Sequence, residues 1–164
     1  MTRNGRCRIA CPSISRIEVR PAPTGEACVA DADVVITITK SAEPVCRAEW
    51  LAPGTHVNAA GANSADRREV DAETVLRSTL KVTDHVEQAK VEAGEFRELV
   101  AAGKLAWADI RELGELVTGK AKGRGSPLEL TLFKSLGIAL EDVAFGELVY
   151  QRALAAGAGR PIPV

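Results

Sequence analysis

The sequence predicts an α/β fold: a partial Rossmann-like parallel sheet with flanking helices and a long C-terminal helix. Three observations carry this expectation. Ala32 to Thr39 is a run dense in β-branched residues with no apolar–polar alternation, the mark of a strand covered on both faces. Strand-like segments begin at residues 32, 55 and 80, and each gap between them holds a helical segment, the rhythm of β-α-β units with right-handed crossovers. Finally, Ser135 to Ala156 has the apolar spacing of one long amphipathic helix.

The elements follow in chain order. Residues 1 to 16, rich in Arg, Cys and Ser, show neither helical nor strand period and read as irregular. Ile17 to Arg20 reads as a short strand ended by Pro21 and Pro23. Thr24 caps a short helix through Val29. After the strand at 32 to 39, Ala48 to Leu51 suggests a helical turn, Pro53-Gly54 turns the chain, and Thr55 to Ala59 forms a second buried strand. Asp71 caps a helix over Ala72 to Ser78, and Leu80 to Asp84 is a third strand. His85 to Ala102 reads as one helix and Trp107 to Thr118 as another, with Leu113, Leu116 and Val117 on one face. A basic, glycine-rich loop spans 119 to 127, and Thr131 to Phe133 is a short strand before the last helix.

Composition narrows the function classes. The 164 residues carry a formal net charge of −1, so no global field draws the chain to nucleic acid or an anionic membrane. No apolar run reaches the length of a bilayer span, and the N-terminus lacks the apolar stretch of a secretory signal. Cys7, Cys11, Cys28 and Cys46 include one CxxxC pair but no completing second pair or nearby histidine. Reduced thiols, a cytoplasmic setting and no metal site are the expectation.

In open parallel sheets ligands lie beyond the carboxyl ends of the strands. Thr37 and Thr39 end one strand, and Ala60, Gly61, Ala62 and Asn63 follow the next. A glycine at such a tip lets a flat ring or a phosphate approach the backbone closely. The same NAAGAN stretch also reads as a plain tight turn, and the residues alone leave both readings open. Structural roles are expected for His56 and His85, solvated or capping roles for Glu112, Glu115 and Glu129, packing for Trp50 and Trp107, and a solvated face for Lys134.

Four stretches in order, ADVVITIT, EWLAPGTHVNAAGANSADRREVD, ELGELVTGKAKGR and TLFKSLGIALEDVAFGELVY, resemble the ornithine cyclodeaminase and mu-crystallin family, from about Ile17 to about Ala156. The resemblance implies NAD or NADP bound by a Rossmann domain, a small amino-acid or imine substrate, and a homodimer. By the same resemblance Thr39 contacts the dinucleotide, and Ala60, Gly61 and Ala62 line the cofactor near the nicotinamide. Arg67 reaches the cofactor or substrate side of that loop. Ser135 and Leu136, expected to start the last helix, meet nicotinamide and substrate.

Two departures shape the expected activity. Asn63 stands where the cyclodeaminases carry an aspartate that moves a proton, and an amide cannot take a proton near neutral pH. This shifts the expectation from ammonia elimination toward reduction of a small cyclic ketimine. The family's glycine-rich nucleotide loop and N-terminal substrate domain are also missing from residues 1 to 40. The expected organisation is therefore the second half of a nucleotide-binding domain over 17–130, followed by a strand, helix and tail over 131–164. Ornithine cyclodeaminase activity and a non-catalytic remnant or binding protein remain the alternatives.

Overall fold

The structure is a computed structural model that describes residues 20–160. Five parallel strands form one sheet: β1 (Val34–Thr37), β2 (His56–Ala59), β3 (Leu80–Thr83), β4 (Ile110–Glu112) and β5 (Thr131–Lys134). Their spatial order is β1-β2-β5-β3-β4. The last strand in sequence thus inserts between the second and third, so β2 and β3 do not touch. The expected strand at Ile17 lies outside the described residues.

Helices α1 (Gly25–Val29), α2 (Ala72–Arg77), α3 (Val86–Glu92), α4 (Gly94–Ala101) and α5 (Leu113–Val117) accompany the sheet, and α6 (Ala139–Ala155) follows it. Local chemistry sets several starts. The Thr24 hydroxyl accepts from Ala27 N–H at 3.1 Å, and the Asp71 carboxylate accepts from Thr74 N–H at 2.9 Å. His85 Nδ1 accepts from Gln88 N–H at 3.3 Å and opens α3, a structural role as expected.

One sheet face carries the core. Val35, Val57, Leu132 and Ile110 lie in register across it and pack with Val75, Ala89, Phe96 and Leu99 of α2 to α4. The other face is only half covered. Val34 and Ile36 are 55% and 66% exposed there, where β1 is the outermost strand among the described residues. The reading of a strand buried on both faces is corrected: β-branched residues set the extended backbone, and the neighbours available decide burial.

Three further expectations change. The helix over His85 to Ala102 is two helices, broken at Ala93, whose ψ of 90° is not helical. Beyond the break Gly94 sits so close to the loop at Ala65 and Arg67 that a Cβ would lie 2.4 Å from Arg67 O. Trp107 to Thr118 is a 3₁₀ turn (Trp107–Asp109), then β4, then α5. The fourth strand is only three residues long, too short to show a period of its own. Helix α6 begins at Ala139, four residues later than the sequence predicts, after an irregular stretch over 135–138. Among the described residues no helix is long and apolar enough to cross a membrane.

Candidate functional site

Parallel register brings the carboxyl ends of the strands into line: Thr37, Ala59, Lys134 and Thr83 are successive partners across the sheet. The residues just past this line make a rim. Ala60 N–H donates to Thr37 O at 2.8 Å, and Ser135 N–H donates to Ala59 O at 3.0 Å. The tips of β1, β2 and β5 are therefore one continuous structure.

Two buried carboxylates hold that rim. Glu69 is fully buried. Its Oε1 accepts Thr39 N–H at 2.5 Å, and its Oε2 accepts Gly61 N–H at 2.6 Å and Ala62 N–H at 3.3 Å. Burial pushes this carboxyl up, but the N–H bonds from Thr39, Gly61 and Ala62 outweigh it and hold the group below its ordinary value. Asp84 performs the same task one strand further on. Its Oδ2 accepts Ser135 Oγ–H at 3.2 Å, Leu136 N–H at 2.5 Å and Gly137 N–H at 2.7 Å.

Lys134 supplies the positive charge beneath. Its side chain is 1% exposed, its Nζ donates to Ala59 O at 3.4 Å and to Ala62 O, and it forms an ion pair with Glu95 Oε1 at 3.6 Å. Glu95 Oε1 also accepts Glu69 N–H at 2.9 Å. The expectation of a solvated Lys134 is corrected. It follows Leu132 by two positions, so the strand's period points both side chains to the covered face.

The backbone at Gly61 is closely packed. A Cβ there would lie 2.1 Å from Thr39 N, 2.3 Å from Thr39 O and 2.6 Å from Glu69 Oε1. The glycine admits the neighbouring strand tip and its carboxylate. Ser135 and Leu136 do not begin the last helix as expected, and the Asp84 carboxylate accepts the N–H groups of Leu136 and Gly137.

Of the residues singled out in the sequence, Thr39, Ala60, Gly61, Ala62, Ser135 and Leu136 come together on the rim. Thr39 is exposed, Ala60, Gly61 and Ser135 are half-buried, and Ala62 and Leu136 are buried. Asn63 is exposed and Arg67 half-buried on the stretch that leads away, and neither side chain makes a hydrogen bond among the described residues. Glu69, Asp84, Glu95 and Lys134 were missed. Their signal was faint but present: charged residues beside small or apolar neighbours, at strand ends or in phase with a buried position.

A cavity of about 430 Å³ lies on the opposite sheet face and shares no lining residue with the rim. His56, Asn58, Leu80, Phe133, Leu113 and Arg124 help to line it. Its polar groups serve each other: His56 Nδ1 meets Thr131 Oγ1 at 2.7 Å, and Arg124 donates to Thr131 Oγ1 at 3.0 Å and to Gly54 O at 2.7 Å. Arg124 is thus pinned to the sheet. Among the described residues no group of three or more His, Cys, Asp or Glu side chains is placed to hold a metal ion.

Set beside known proteins, the sequence matches the ornithine cyclodeaminase/mu-crystallin family over residues 3–157. The chain belongs to that family. The matched stretch includes residues 3 to 16, which were read as outside the resemblance. Alanine dehydrogenase of Archaeoglobus fulgidus is 39% identical over 145 residues, covering 88% of this chain and 43% of the relative. Ketimine reductase mu-crystallin of Mus musculus is 40% identical over 134 residues, covering 81% and 40%. The structure of Thermococcus litoralis Δ1-pyrroline-2-carboxylate reductase, in complex with NADH and L-proline, superposes with a TM-score of 0.81 at 37% identity, covering 89% of this chain and 45% of that one. The family member described here spans less than half the length of these relatives, and its partial Rossmann-like sheet is the part it shares with them.

Proposed function

We propose that this chain carries the nicotinamide side of an NAD- or NADP-dependent reductase acting on a small cyclic ketimine or related amino-acid imine. The observation that supports this most is the rim itself: three strand tips, locked by Glu69 and Asp84, presenting Thr39, the Ala60–Ala62 loop and Ser135 side by side. The small, half-buried side chain of Ala60 fits a flat ring lying along the loop. The Asn63 amide and the Arg67 guanidinium, which make no hydrogen bond among the described residues, remain for its carboxamide or for the substrate carboxylate. A bound nicotinamide supplies the hydride for the imine carbon.

The fixed rim does the positioning. With its N–H groups already committed to carboxylates, the loop needs little reorganisation when a ligand arrives, which lowers the cost of reaching reactive geometry. Asn63 orients by hydrogen bonding and moves no proton, so the proton for the imine nitrogen comes from water or from an acid elsewhere in the full site. The reading includes a cytoplasmic setting and association into a homodimer. Residues 17–130 serve as the nucleotide-binding half and 131–164 as the return toward a substrate domain.

A second reading is a scaffold kept for binding without turnover. Calorimetry with NADH and with NADPH, followed by cofactor oxidation in the presence of pyrroline-2-carboxylate, separates the two. Heat together with imine-dependent oxidation supports the reductase, and no heat with either cofactor supports the binding scaffold. NAD-dependent ammonia release from ornithine without imine reduction would reverse the ranking against cyclodeamination.

A further inference from the structure

The basic, glycine-rich loop after α5 carries Lys120, Lys122 and Arg124 at alternate positions. The structure divides these three cations. Arg124 serves the sheet through Gly54 O and Thr131 Oγ1. Lys120 and Lys122 instead line a separate pocket of about 380 Å³, which β4 completes with Arg111. Leu80, Glu115 and Ala121 form the rest of its lining among the described residues. Arg111 reaches the pocket by strand alternation. Ile110 turns into the core, and Arg111, level with Val82 in the register, takes the other sheet face.

The loop is anchored at both ends. Behind the lysines, Gly119 N–H donates to Leu116 O at 3.1 Å and Ala121 N–H donates to Glu115 O at 3.0 Å, both on α5. Ahead of them, Arg124 holds the sheet and Gly125 N–H donates to Glu129 Oε2 at 2.8 Å. The lysines therefore project from fixed backbone, on either side of half-buried Ala121. Glu115 is tied to the head of α5, where its Oε2 accepts Glu112 N–H at 3.1 Å. Three cations and one carboxylate leave the pocket with two positive charges in excess. Like charges gathered around one hollow repel each other until an anion enters. We propose that this pocket binds the phosphoryl group of a small molecule. A phosphate ester is close to a dianion at neutral pH and so matches the excess. The planar fork of Arg111 suits two of its oxygens, and the lysines act as point charges. All three cationic side chains are exposed and open to a ligand from solvent. The pocket shares no lining residue with the rim, so this binding is independent of the reductase reading.

The test is isothermal calorimetry on the 164-residue chain at low ionic strength, with pyrophosphate, glycerol 3-phosphate and acetate as probes. Saturable heat is expected with both phosphates and none with acetate. Arg111→Gln, and Lys120→Gln combined with Lys122→Gln, are each expected to weaken phosphate binding at least about tenfold through the loss of charge-assisted hydrogen bonds. These side chains lie outside the core, so circular dichroism is expected to show both variants folded. Lys104→Gln removes an exposed cation away from the pocket lining and is expected to leave the binding constants unchanged. The absence of saturable heat with either phosphate would overturn the proposal. Undiminished binding in both pocket variants would overturn it by placing the anion elsewhere. An equal loss from Lys104→Gln would reduce it to attraction by overall charge, and equal binding of acetate would reject the phosphoryl class.

Discussion

The two faces of the sheet are built from similar residues and meet opposite fates. On one, Val35, Val57 and Leu132 are 5%, 0% and 1% exposed beneath α2 to α4, and even Lys134 and Glu69 are withdrawn from water. On the other, Val34 and Ile36 are more than half exposed, although they alternate with Val35 in the same four-residue strand. Helix α6 goes further: none of its 17 residues is buried, and Leu140, Val143 and Phe145 are 73%, 69% and 68% exposed. A helix apolar on several sides is ordinarily an interior helix. Hydropathy therefore states what a segment would bury, while the presence of a neighbouring element decides whether it does.

Substitutions can sharpen this contrast. The largest loss is expected on the covered face. Lys134→Ala leaves Glu95 buried without its ion partner and is expected to cost about 3–5 kcal/mol, read as a lower urea midpoint. Gly61→Ala places a methyl 2.1 Å from Thr39 N, so the tips of β1 and β2 must separate, at about 1–3 kcal/mol by the same measurement.

Glu69→Gln replaces a three-bond acceptor with an amide that can accept through only one oxygen. It is expected to cost about 1–3 kcal/mol at neutral pH. Because the folded protein holds Glu69 below its ordinary value, the wild type keeps this contribution above the unfolded carboxyl pKa and loses it as pH falls through the folded one. The variant's stability curve is accordingly expected to be flatter on the acid side, and equal slopes would show that Glu69 is not the titrating clamp.

A smaller effect is expected at His56. Burial, assisted by Arg124 and opposed by the Asn58 hydrogen bond, pulls its pKa below the ordinary value. Stability from this group is therefore complete above about pH 6.5 and declines as pH drops toward the folded pKa. His56→Gln removes that decline in urea titrations across the window. Smallest of all, Val143→Ser on the exposed side of α6 is expected to move the urea midpoint by no more than about 0.5 kcal/mol. A large loss there would mean that α6 has a partner.

Much of the architecture was legible without coordinates. The strands at 34–37, 56–59, 80–83 and 131–134 follow from β-branched composition between turn residues, and Thr24 and Asp71 mark helix starts because their side chains can take an orphan N–H. The break at Ala93 was hidden because both halves keep helix-favouring residues, and only the close approach of Gly94 to Arg67 O forces the turn. The late start of α6 was hidden for a related reason: Asp84, some fifty residues away in sequence, takes the N–H groups that would otherwise have joined a helix.

The candidate site divides the same way. Thr39, the Ala60–Ala62 loop and Ser135 were found from strand-end position and family resemblance, both of which are local properties of the chain. Their supports were not. Glu69, Glu95 and Asp84 look like ordinary charged residues until the fold removes them from water and surrounds them with N–H donors.

The sequence by itself determined the alternation of strand and helix, the small-residue strand tips and the family, because backbone preference and side-chain size act over a few neighbouring residues. Tertiary structure alone decided the strand order, the burial of Lys134 and the exposure of Val34 and Ile36. Those depend on which distant segments come to lie against them, and desolvation is a property of that whole environment.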